Sequence, residues 1–145
     1  MKKFLIVLFL AVATFMQACG PDTQQVGWPY KRVEKRLNVN NYPELTKHNG
    51  FMYLNDVGIK GILLVNNNDG SYRAFDRLCS YFTEHDCKAL VMDEDTGYSQ
   101  IIDPSEGCRS HFSRLGRYLS GPALNDLLPY QVADEGNGNL LIYRY

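Results

Sequence analysis

The sequence predicts an all-β domain, an antiparallel sandwich or a small barrel. Three observations carry that expectation. Short apolar stretches alternate in and out, as half-buried strands do. Gly-, Asn- and Asp-rich turns separate them at intervals of about eight to twelve residues. No amphipathic run is long enough for a proper helix. The 10 tyrosines of the 145-residue chain suit strand faces and offer no chemistry by themselves.

Taken in order, "RLNVN" (36–40) alternates, with Leu37 and Val39 on one face. "NNYPELTKHNG" (40–50) has room for at most one helical turn, around Pro43, before Gly50. "FMYL" (51–54) and "GILLV" (61–65) flank "NDVGIK", a tight turn, and "NNNDG" (66–70) is a second turn, since Asp-Gly tolerates positive φ. "SYRAFD" (71–76) alternates again. "ALVMD" (89–93), "EDTG" and "YSQII" (98–102) read as a hairpin, and "LLPYQVAD" (127–134), "EGNGN" and "LLIYRY" (140–145) as a closing one.

The N-terminus reads as a targeting segment. Lys2 and Lys3 precede a thirteen-residue apolar run, Phe4 to Met16, shorter than the ~20 residues a spanning helix needs. "FMQACG" then places Ala18 before Cys19, which resembles a bacterial lipoprotein signal with Cys19 lipidated. On this reading residues 1–18 are the signal peptide, 19–30 a lipidated cysteine and tether, and 31–145 the domain. The expected location is the cell envelope, lipid-anchored, on the outer membrane of a Gram-negative cell. Without Lys2 and Lys3, 13 Lys+Arg face 16 Asp+Glu, a net charge of about −3. With no basic stripe, nucleic-acid binding has no electrostatic footing.

Two loops concentrate the ligand-type residues. "DRLCSYFTEHDC" (76–87) holds Cys79, His85 and Cys87, and "GCRSHFSRLG" (107–116) holds Cys108 and His111. Each sits at a strand end, one before and one after the hairpin at 89–102. A hairpin returns the chain near its start, so the two loops can meet. The remaining residues read more plainly. His48 is a solvated turn residue, and Asp76, Asp93, Asp95 and Asp103 flank turns. Trp28 anchors the tether on the sheet, and Phe112 and Leu115 shield the second loop. Ser105, Ser110 and Ser113 lack a Gly-x-Ser-x-Gly context, and no carboxylate pair is spaced for acid–base work.

The order strand, Cys loop, hairpin, Cys-x-x-His loop ("CRSH", 108–111), "SGPA" (120–123), hairpin resembles the Rieske [2Fe–2S] domain over roughly residues 33–145. The likeness is greatest to Rieske-like lipoproteins of Bacteroidetes. It implies a cluster held by Cys79, Cys108 and His111, and one-electron transfer with a separate redox partner protein. Cys79-Ser80-Tyr81 puts tyrosine where the family has its first histidine, so His85 or Cys87 would supply the fourth ligand. Ser80 and Arg109 replace the family's prolines, and Phe112 a glycine. The residues leave other occupants open. Zinc on Cys79, Cys87, Cys108 and His111 would be a closed Cys₃His set. A disulfide from Cys79 or Cys87 to Cys108 suits an oxidising envelope, and a cofactor-free scaffold needs neither.

Overall fold

A computed structural model describes residues 27–83 and 86–145. The signal segment, Cys19 and His85 lie outside the described residues, and so do the expectations that rest on them. Among the described residues, ten strands form two antiparallel sheets. The first is a curled six-stranded sheet in the order β1 (Val33–Asn38), β10 (Asn139–Arg144), β9 (Pro129–Gly136), β4 (Tyr72–Asp76), β3 (Ile62–Asn66), β2 (Phe51–Leu54). The second has the order β5 (Val91–Met92), β6 (Gln100–Ile102), β7 (His111–Ser113), β8 (Tyr118–Ser120). The all-β expectation holds. A single helical turn, α1 (Pro43–Thr46), interrupts it where Pro43 supplies the preset φ of a first helical residue. Among the described residues, no helix is long and apolar enough to cross a membrane.

Residue pattern explains the layering. Every residue of β3 is buried, so this strand is covered on both faces. Ile62 and Leu64 point into one core with Ala74, Tyr130, Leu140 and Ile142, inside the curl of the large sheet. Leu63 and Val65 point the other way, with Phe75, and meet Met92, Ile101 and Phe112 of the small sheet. Alternation of period two thus builds two cores from one strand. The small sheet closes the second core, and the cysteine loops fill its end.

Two differences from the sequence reading have local causes. β1 runs 33–38 rather than 36–40, because the Asn38 side chain accepts the Asn40 N–H and turns residues 39–41 into a 3₁₀ turn. Residues 111–113 and 118–120 are strands, although only loop was expected there. Phe112 is fully buried and pairs with Ile101 across β6–β7, so burial and ladder pairing override a turn-rich composition.

Strand direction fixes where the loops lie. β4 ends at Asp76, three residues before Cys79. Asp76 is fully buried and accepts four donors: the N–H groups of Ile59 (2.6 Å), Lys60 (3.2 Å) and Leu78 (2.8 Å), and the Tyr130 hydroxyl (2.7 Å). One carboxylate thereby pins the 57–61 turn, the start of the first Cys loop and strand β9 together. Asp76 is more than the turn-flanking residue its sequence context suggests.

Candidate metal centre

The first loop leaves β4 with its thiol turned inward. The Tyr81 backbone N–H points at the Cys79 sulfur, and the Phe82 N–H donates to the Cys79 carbonyl (3.1 Å). The Tyr81 ring packs partly buried against the core that holds the cysteines. A phenol occupied with packing is no substitute for the imidazole that a Rieske loop carries there. Farther on, the Lys60 ammonium donates to the Cys87 carbonyl and sits 3.5 Å from Asp86. The Arg77 guanidinium spans Leu90 O (2.8 Å), Asn55 Oδ1 (2.6 Å) and the face of Tyr53, 4.1 Å from the ring centroid.

The second loop is organised by two serines. Ser105 receives the Lys88 N–H on its hydroxyl (2.7 Å) and the Cys108 and Arg109 N–H groups on its carbonyl (3.2 and 3.1 Å). It therefore stitches the first loop to the second. Arg109 adopts φ 48°, a left-handed conformation that reverses the chain between Cys108 and Ser110. The Ser110 hydroxyl takes the Ala123 N–H (3.0 Å) and lies 3.1 Å from the Cys108 sulfur. That bond fastens the Gly-Pro segment over the loop. Ser80 does the same from the first loop, donating to Asn125 O (2.7 Å).

The result is a compact group of four. Cys79, Cys87, Cys108 and Asp103 each present one ligand atom, and these atoms all lie within 4.8 Å of one another. The sulfurs of Cys79 and Cys108 are 3.5 Å apart. All four residues are buried, and the three cysteines are free thiols. One Asp103 oxygen accepts the Ser105 N–H (2.8 Å), whereas Oδ2 is buried with no hydrogen-bond partner among the described residues. The Cys87 and Cys108 thiols approach this carboxylate closely enough to act on its charge without closing a hydrogen bond of good geometry.

Electrostatics describe two protonated thiols beside one ionised carboxylate. Burial pushes the Cys79 thiol up to about 12, helped by the neighbouring Cys108 and Asp103. Burial also drives the Cys87 thiol strongly upward, with Cys79 and Asp103 adding to it. Burial raises the Asp103 carboxyl too, but hydrogen bonds from Ser105 outweigh it, with the two thiols contributing, and its pKa ends below the usual range. Burial thus favours protonated Cys79 and Cys87 beside an ionised Asp103. A cation is what would favour the thiolates.

The sequence-predicted ligands divide accordingly. Cys79, Cys87 and Cys108 come together, as the hairpin argument expects. His111 does not join them. It sits on β7, partly exposed, with Nδ1 3.2 Å from Gln100 Oε1. His85 lies outside the described residues. Asp103 joins the group although the sequence marks it only as a turn residue, and "DP" at 103–104 gave no cue to its cysteine partners. Phe112 packs in the core beside the cysteines as expected, but Leu115 is 47% exposed and shields nothing. Trp28 stacks on Phe82 of the first Cys loop (5.6 Å between centroids) rather than on the sheet.

Three thiols and a carboxylate with an orphaned oxygen suit a single tetrahedral ion, for which Zn–S bonds of ~2.3 Å place sulfurs about 3.8 Å apart. The two-Cys, two-His set of a Rieske cluster is not assembled by the described residues, because no imidazole reaches the group.

No family model and no curated protein matches this chain. Among solved structures, the plasma membrane Rieske protein PetC3 of the cyanobacterium Synechocystis PCC 6803 is similar, with 21% identity and a TM-score of 0.49, covering 64% of this chain and 85% of that one.

Proposed function

We propose that this chain is a lipid-anchored envelope protein whose Rieske-like domain holds one metal ion of the zinc class on Cys79, Cys87, Cys108 and Asp103. The ion ties the two loops together, and the domain serves as a binding or structural module rather than as an electron carrier. One observation carries the reading. Four buried ligand atoms lie within 4.8 Å of one another, a span suited to one ion. Terminal ligands of a two-iron cluster must instead divide between its two ends. The lipid anchor rests on the sequence around Cys19.

Zinc would act here as structural zinc does, supplying folding free energy by closing a ligand set in which burial otherwise keeps Cys79 and Cys87 protonated. A second reading has its own support. With 3.5 Å between the sulfurs of Cys79 and Cys108, a disulfide would form after a short approach and leave Cys87 free.

The test is elemental and thiol analysis of the full chain, extracted in detergent from the membranes of a Gram-negative host under anaerobic conditions. About one zinc per chain, without labile sulfide, is expected. About two irons and two sulfides per chain would restore the [2Fe–2S] electron-transfer reading. Metal-free protein with one reactive thiol among Cys79, Cys87 and Cys108 would establish the disulfide form instead.

A further inference from the structure

The register of the large sheet puts the entry of the chain and the cysteine loops at the same end of the molecule. β4 reaches that end at Asp76 and leads into Cys79. Phe75 pairs with Pro129, so β9 starts there and runs away, and Tyr143 pairs with Gln131, so β10 returns to it. Val33 pairs with Arg144, so β1 also begins there. The turns at 67–70 and 136–138 lie at the opposite end, roughly 25 Å away over the eight residues of β9.

A side-chain contact makes the same statement independently. Trp28 stacks on Phe82 within the first Cys loop. Nine Cα-to-Cα steps link Cys19 to Trp28, a reach of at most about 32 Å when fully extended. A lipid on Cys19 is therefore tethered to the loop end, and turning the far end to the membrane would consume about three quarters of that reach.

The surface at that end suits such a position. Tyr30 is 71% exposed, Tyr145 at the end of β10 is 63% exposed, and Leu124 is 77% exposed next to Asn125, which Ser80 of the first loop holds. Tyrosine and tryptophan rings, apolar in body and polar at the tip, favour the headgroup region. A bare leucine of this exposure gains by entering it.

The geometry points to a docked orientation: the end bearing Trp28, Tyr30, Phe82, Leu124 and Tyr145 lies against the lipid surface, with the cysteine loops facing the membrane. The inference rests on the lipid anchor of the proposed function and is independent of which metal is bound. Any partner that reaches the cysteine loops then has to be membrane-bound itself.

The experiment uses the full chain, lipidated by its host and reconstituted into phosphatidylethanolamine–phosphatidylglycerol vesicles with brominated acyl chains. Trp28 is the sole tryptophan, so single-reporter variants are simple. Trp28→Phe is combined with Phe82→Trp to report on the first loop, or with Glu135→Trp to report on the far end. The first reporter is expected to lose most of its emission to bromine quenching and the second almost none. Adding Leu124→Asp should restore emission to the first. Equal quenching of both, or of neither, in lipidated protein overturns the docked orientation. A mass showing Cys19 without acyl chains overturns it at its premise, and with it the anchor in the proposed function.

Discussion

Asp103 Oδ2 is a buried carboxylate oxygen without a hydrogen-bond partner among the described residues. Leaving such a group unsatisfied costs about 1–3 kcal/mol, and a cation bound beside it would remove that cost. Asp103→Asn keeps the oxygen that accepts the Ser105 N–H but replaces the ligand oxygen with an amide. Zinc affinity of this variant, measured against a competing chelator, should fall by more than the ~10–100-fold typical of losing an outer partner of a metal ligand. The thiols make the same binding pH-dependent. With Cys79 and Cys87 raised by burial, both enter the complex as protonated groups that must ionise. Each bound ion should displace at least the two protons of Cys79 and Cys87, so affinity falls steeply as pH drops. Titration in two buffers of different ionisation enthalpy reads the proton count.

Tyr130 tests the support beneath the site. Burial, then its hydrogen bond to Asp76 and the charge of that carboxylate, raise the phenol's pKa. An unfolded phenol titrates near ~10. A raised folded pKa means that the contribution is whole below the unfolded value and is lost as pH rises toward the folded one. Tyr130→Phe should cost about 1.5 kcal/mol at neutral pH. Its midpoint deficit against the parent should narrow above about pH 10, by thermal unfolding across the alkaline range.

At the scale of elements, the Gly-Pro segment acts as a clasp. Gly121 has φ 103°, and a Cβ there would meet the Ser110 Cα at 2.6 Å, backbone that cannot swing aside. Gly121→Ala should cost about 2 kcal/mol or more. It should also speed chelator-driven zinc loss, because Ser110 fastens Cys108. Stopped-flow release compared with the parent separates this from a general loss of stability, which a distant core variant such as Leu140→Ala would show without faster release.

Elements also mark where sequence reasoning succeeds and stops. The runs 51–54, 61–65, 71–76 and 140–145 are legible because local alternation and turn chemistry agree with their burial. The hairpin at 89–102 is legible for the same reason, and through it the meeting of the three cysteines. β7 and β8 are not, since three-residue strands carry no period and owe their form to β6 and the core beneath. Asp103 is not legible because its partners are distant in sequence, while its own neighbourhood spells an ordinary turn. His111 is the opposite case. Its local motif is strong, but the β6–β7 ladder sets it on a strand beside Gln100.

On the scale of the whole molecule, the small sheet packs on a curled sheet whose strand β3 is buried on both faces, and the three-cysteine group sits where the second core opens at its end. Core and site are therefore coupled. The same hydrophobic cluster includes Cys79, Cys87 and Cys108 with Leu63, Phe75 and Phe112, so metal binding should raise the unfolding midpoint of the entire domain. Zinc K-edge X-ray absorption of the metal-loaded full chain in detergent tests the central claim most directly. Three sulfurs at about 2.3 Å and one oxygen at about 2.0 Å around the ion are predicted. A shell of two sulfurs and two imidazole nitrogens, or metal that binds without sulfur, would contradict the account.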